Sequence, residues 1–147
     1  MRKRYVFGIV LTVLLAVLLI ILSVIGSWYF TPKRFLKGVE ADEVDRIEIF
    51  DGGTGRRFFV DRDSDICAIV ESIQGIEMKR GKISSNYDGF AFSMKFLDKE
   101  GGVIDSFIIN SLNVIRDDPF FYLTSEGVLP YEHLAELEKQ YFAEDGQ

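Results

Sequence analysis

The segment GFAFSMKFLDKEGGVIDSFIIN, residues 89–110, decides the fold. Phe90, Phe92, Met94 and Phe96 alternate with Ala91, Ser93 and Lys95, the clearest period-two pattern in the chain. Alternation of this kind sends one set of side chains to a buried sheet face and the other set to the opposite face. Asp98, Lys99, Glu100, Gly101 and Gly102 suit a tight connection, and Val103 to Ile109 then reads as the returning strand. A hairpin built this way makes an antiparallel sheet the organising element of the domain.

Toward the C-terminus, Asn110 and Ser111 read as the next turn, and Val114-Ile115 and Phe120 to Leu123 as further short strands separated by Asp117-Asp118-Pro119. Leu129 to Phe142 reads as a helix, with Pro130 in its first turn and Leu134, Leu137 and Tyr141 on one stripe. Toward the N-terminus, Ile76 to Met78 begins a strand, after which Lys79-Arg80-Gly81-Lys82 and Ser84-Ser85-Asn86 read as an exposed loop. Ile66, Ile69, Val70 and Ile73 hold the i, i+3, i+4, i+7 spacing of a buried helix face. That helix is expected over Asp65 to Gln74, capped by Asp63 or Ser64 and closed by Gly75 as a C′ glycine. Val44, Ile47, Ile49 and Phe50 mark a first strand, Asp51 to Gly55 a turn, and Arg57 to Val60 the strand that returns from it. The order strand, strand, helix, several antiparallel strands, helix predicts an α+β domain, an antiparallel sheet with both helices on one face.

Ahead of this domain stands an uncharged run, YVFGIVLTVLLAVLLIILSVIGSWYF, from Tyr5 to Phe30. A bilayer core of about 30 Å takes roughly 20 apolar residues in a helix, so the run is long enough to cross with some tilt. Trp28, Tyr29 and Phe30 close it, where amphipathic rings favour the headgroup level. The competing reading is a cleaved secretory signal, with Val24 and Gly26 as small residues before Ser27. The apolar stretch of such a signal is usually only about 7–15 residues, so an uncleaved signal anchor is expected. Thr31-Pro32 ends the helix, because the residue before proline is pushed out of helical geometry. The resulting organisation is a basic tail over residues 1–4, a transmembrane helix over 5–30, a juxtamembrane linker over 31–42, the α+β domain over 43–142 and a short tail over 143–147.

Basic flanks orient a span, but here Arg2, Lys3 and Arg4 are balanced by Lys33, Arg34 and Lys37. A four-residue tail ahead of a first span usually stays cytosolic, which places the domain outside the cell membrane. Six of the 17 basic residues flank the span and none of the 23 acidic ones do, leaving the remainder from Gly38 to Gln147 with 11 basic against 23 acidic residues, a formal balance of −12. Such a surface argues against nucleic acid, which needs a basic footprint. It also argues against a domain lying flat on an anionic leaflet.

The residues that chemistry would use are sparse. Cys67 is the only cysteine, so no intramolecular disulfide forms, and it reads as a small residue beside the buried helix face. His133 is the only histidine, and without a second cysteine or histidine a zinc site has no ligand set. Asp61-Arg62-Asp63-Ser64-Asp65 resembles the start of a calcium loop, but Ile66 and Ser72 stand where that loop needs glycine and glutamate. A helix-capping turn explains it. Asp117 and Asp118 are neighbours on an extended chain and so point to opposite faces. Asp51 to Gly55 lacks the lysine and the following helix of a phosphate loop. No catalytic residue, metal or cofactor is therefore expected.

The layout of one span, then VDRIEIFDGGTG (44–55), a helix, GFAFSMKFLDKEG and DSFIINSLNVIRDDPFFY (105–122), resembles small anchored extracytoplasmic domains of Gram-positive bacteria. These occur as lipoproteins or single-span proteins and are mostly uncharacterised. The resemblance covers most of Val44 to Tyr141 and carries over no functional residue; it implies a bacterial envelope setting. Two features point to contacts rather than catalysis. One is the local basic patch Lys79, Arg80 and Lys82. The other is the run Phe120, Phe121, Tyr122, of which alternation must send at least one ring away from the core face. These six residues are the candidate partner surface. The expected function is a non-enzymatic, membrane-anchored extracytoplasmic domain acting through protein–protein contacts with an envelope partner. The alternatives are an anchored binder of a small ligand or cell-wall glycan, a cytosol-facing regulatory domain, and an enzyme using His133.

Overall fold

The structure, a computed structural model, describes residues 2–85 and 87–144, with the side chains of 2–4 and 144 excepted. The tails expected at 1–4 and 143–147, and Asn86 of the expected loop, therefore lie wholly or partly outside the described residues. Two compact units result, Met1–Thr31 and Pro32–Gln147.

The first unit is one helix, α1 (Arg2–Phe30). Its stretch Tyr5–Phe30 has a mean hydropathy of 3.2, long and apolar enough to cross a membrane. Apolar side chains point outward on every side of it rather than along one stripe. The Thr12 hydroxyl donates to the Gly8 carbonyl at 3.0 Å and the Thr31 hydroxyl to the Ser27 carbonyl at 2.7 Å, so these polar groups are satisfied within their own turn.

The second unit contains β1 (Arg46–Asp51), β2 (Arg57–Val60), α2 (Asp63–Gln74), β3 (Met78–Ile83), β4 (Phe92–Leu97), β5 (Val103–Ser111), β6 (Val114–Asp117), β7 (Phe120–Thr124) and α3 (Tyr131–Glu144). Seven strands form one open sheet in the order β2-β1-β4-β5-β6-β7-β3, antiparallel at every pairing. The α+β class with an antiparallel sheet is thus observed. Register explains the core. Phe58, Ile49, Met94 and Phe107 lie opposite one another across four strands, as do Phe92, Ile109, Ile115 and Tyr122. Opposed residues in an antiparallel ladder share a face, so both rows point to one side of the sheet. That side is sealed by Ile66, Ile69, Val70 and Ile73 of α2 and by Leu134 and Leu137 of α3, all in one continuous core. Rings of α3 rest directly on it, Tyr131 at 5.2 Å from Phe92 and Tyr141 at 6.0 Å from Phe58.

Four local expectations are corrected. Met78 to Ile83 is an edge strand, not an exposed loop: pairing with β7 supplies the ladder that its short apolar content did not signal. Helix α2 begins at Asp63, with Arg62 as an N-cap that makes no side-chain cap. Asp63 and Asp65 sit in its first turn, where carboxylates complement the free amides. Gly75 closes α2 in ordinary helical conformation (φ −67°), not as a left-handed C′ residue. The strand read from Phe90 starts at Phe92, because Phe90 and Ala91 belong to the crossing segment described below.

Residues 33–36, within the stretch read as a linker, are part of the fold. Lys33 forms an antiparallel bridge with Met78, both backbone bonds at 2.9 Å. Phe35 and Leu36 are 1% and 2% exposed, and Phe35 packs on Phe107 at 4.9 Å and Tyr122 at 5.3 Å. Leu36 holds a left-handed φ of 55°, uncommon for a bulky residue. Its burial and the Gln74 Nε2 donor to its carbonyl (2.7 Å) keep it there. Two buried residues in a twelve-residue stretch show no periodicity for the sequence pattern to reveal.

Candidate interaction surface

The strand order forces a long crossing. β3 lies at the sheet edge beyond β7, while β4, next in sequence, lies beyond β5 and β6. The connection, described at 84–85 and 87–91, runs across the face opposite the helices, and three anchors hold it. Tyr87 meets Phe121 edge-on at 5.2 Å. The Arg116 guanidinium donates to the Tyr87 carbonyl at 2.6 Å. Phe90 packs against Phe50 at 5.8 Å, while the Gly52 amide donates to the Ala91 carbonyl at 2.7 Å. Gly52 is required there, since a Cβ would sit 2.5 Å from the Phe90 carbonyl oxygen.

The six residues expected as a partner surface are divided by this geometry. Tyr122 faces the helices and is core, and Phe120 shares its side of the strand. Arg80 also turns that way, its guanidinium 5.1 Å from the Phe120 ring and 5.7 Å from Tyr122. Phe121 faces outward but is only 5% exposed, because Tyr87 covers it. Lys79 and Lys82 are exposed, and the Lys82 ammonium lies 5.4 Å from the Phe121 ring. Of the original six, only Phe121, Lys79 and Lys82 belong to the outer face.

What that face offers instead is a groove of about 510 Å³ beside the crossing segment, lined by Lys82, Tyr87, Asn110, Ser111, Val114, Phe121 and Leu123. A second groove, about 660 Å³, shares Asn110 and Ser111 but leaves the outer face, running past Leu112, Thr124 and Val128 to Tyr131 and Glu132 of α3. Tyr87, Leu112, Leu123 and Val128 are 46%, 41%, 44% and 67% exposed, an apolar strip of the sort that marks binding sites. The Asn110 Oδ1 atom is enclosed without a hydrogen-bond partner. Leu112, Leu123 and Val128 were missed by sequence reading. Each is an ordinary aliphatic residue, Leu123 in β7 and Leu112 and Val128 in connections, and only the folded chain shows that it faces solvent.

The other candidate groups lie apart from this surface. The Cys67 thiol is half-buried on α2, 3.4 Å from Glu71 Oε1, and its bond to that carboxylate together with burial pushes its pKa up, away from nucleophilic use. His133 is exposed on α3. Asp117 pairs with Lys33 on the core side, whereas Asp118 bonds Arg116 Nε at 3.0 Å and the Ser84 hydroxyl. Those two bonds hold the Asp118 carboxyl below its ordinary range. The two aspartates point apart, Asp117 ending β6 and Asp118 lying in the turn that follows it. Among the described residues, no group of three or more histidine, cysteine or acidic side chains is arranged to hold a metal ion. No protein-family model, curated protein or solved structure matches the chain.

Proposed function

We propose that the chain is a membrane-anchored extracytoplasmic protein whose sheet domain works by binding an envelope protein, without chemistry of its own. The observation that carries this reading is the set of exposed apolar residues around two adjoining grooves, Tyr87 and Leu123 on the outer face and Leu112 and Val128 on the groove that runs to α3. An acidic domain gains nothing in solubility from such exposed apolar residues, and a partner that covers them removes the cost of their exposure. Lys79 and Lys82, without an ion pair among the described residues, edge the same face and favour a partner segment that presents apolar side chains beside carboxylates. The 26-residue apolar stretch of α1 is the anchor, with its short basic tail in the cytosol.

Two measurements test this reading. A photo-crosslinking residue at Leu123 in intact cells should give a discrete adduct that disappears when Val114→Asp breaks the groove; the same probe at exposed Glu136 should give none. Equal labelling from both positions, or no adduct, refutes the contact surface. A tag after Gln147 should be lost to protease added to intact cells, and protection until lysis would place the domain in the cytosol.

A further inference from the structure

Glu138 and Asp51 are carboxylates from distant parts of the chain, one on α3 and one at the end of β1, and each is only 8% exposed. Both reach the same hydroxyl: Thr54 Oγ1 lies 2.9 Å from Asp51 Oδ2 and 2.9 Å from Glu138 Oε1. A hydroxyl carries one proton, so it can donate to only one of the two. The other short contact needs a proton of its own, which only a neutral carboxyl can supply. Asp51 also accepts the Gly53 amide at 2.7 Å on its Oδ1 atom, so each of its two oxygens already holds a donor. The arrangement closes with Glu138 protonated and donating to Thr54, and Thr54 donating to Asp51.

We propose that Asp51, Thr54 and Glu138 form a proton-operated clasp that holds the C-terminal half of α3 on the β1–β2 hairpin. Of the charged groups around it, Arg56 favours an ionised Glu138 and is outweighed by burial. Arg56 is the one cation of the hairpin turn close enough to act on Glu138, and its guanidinium lies 4.9 Å from the Phe142 ring, where cation–π attraction engages it. On the far side of α3, Asp61, Arg62 and Asp65 line a groove of about 360 Å³ with Gln140 and Tyr141, and Arg62 is paired to Asp65 at 2.8 Å. Lys139 pairs with Glu136 at the solvent side.

Burial, assisted by the neighbouring Asp51 and opposed by the Thr54 hydroxyl and Arg56, raises the Glu138 pKa above its ordinary 4.5. The sign follows. A raised acid contributes stability that is complete below its unfolded value and lost as pH rises through its folded value. Loss of the proton to water leaves two carboxylates facing one hydroxyl, and α3 loosens where Tyr141 and Phe142 cover Phe58. The clasp is therefore shut in acid and slack at higher pH, independently of any partner on the outer face.

The test uses the full chain in detergent micelles. Amide hydrogen exchange of residues 137–142, corrected for intrinsic rates, should lose protection with rising pH, about tenfold for each pH step through which only the closed form keeps its proton. Glu138→Gln should abolish that pH dependence, and Glu136→Gln, on the exposed side of the same helix, should retain it. The same slope in wild type and Glu138→Gln overturns the clasp. Should Glu138→Gln fail to fold, a ¹³C titration of the wild-type Glu138 carboxyl decides the matter, and an ordinary glutamate value overturns it equally.

Discussion

Phe35 stands five residues beyond the apolar run, where the sequence reads as a tether, yet it is 1% exposed and ringed by Phe107 and Tyr122 with the Lys33 ammonium 4.3 Å from its ring. The perturbation is Phe35→Ala in a fragment comprising the compact unit Pro32–Gln147. Truncating a buried phenylalanine costs about 3–5 kcal/mol, the lost transfer energy plus the cavity that neighbours only partly fill. Loss of the cation–π contact adds about 0.5–1 kcal/mol. Against a domain stability of about 5–15 kcal/mol this is a large fraction. With a urea slope of about 2 kcal/mol per molar, the unfolding midpoint should fall by about 2 M, read by far-ultraviolet circular dichroism. A solvated linker residue would change stability by less than about 0.5 kcal/mol. A midpoint within experimental error of the wild type would therefore refute the reasoning that the fold begins at Lys33 rather than beyond residue 42.

Two further outcomes follow from the crossing segment. Gly52→Ala should destabilise the domain by about 1–3 kcal/mol, since its methyl group must displace the Phe90 backbone rather than a side-chain tip; thermal unfolding checks this, and an unchanged Tm would mean that the crossing segment moves freely. Arg116→Gln should loosen residues 84–91, detected as faster limited proteolysis there, and should return the Asp118 carboxyl toward its ordinary value. A lowered acid contributes stability that is present above its unfolded pKa and lost as pH falls through its folded one. The wild type should thus show an acid limb in its stability profile that Arg116→Gln, which keeps only the Ser84 bond, reduces. Identical acid limbs would exclude Asp118 as its source.

Much of this molecule follows from local pattern alone. The alternation through Phe92, Met94 and Phe96 specifies a half-buried strand, and the spacing of Ile66, Ile69, Val70 and Ile73 specifies the buried face of α2, because each period maps directly onto backbone geometry. The uncharged stretch to Phe30 likewise makes a long apolar helix without reference to anything else in the chain. Other features rest on pairing partners far away in sequence. Met78 to Ile83 is a strand because β7 and Lys33 supply its hydrogen bonds, and Phe35 is core because Phe107 and Tyr122 form its pocket. Phe120, Phe121 and Tyr122 look like one aromatic patch in sequence, and only the sheet decides that two face the helices while the third lies under Tyr87. The meeting of Glu138 with Asp51 across Thr54 has no local signature at all. Periodicity reports what one segment does to its own backbone. Which surfaces are covered, and which carboxylates share a proton, depends on strand order and on segments that meet only after folding.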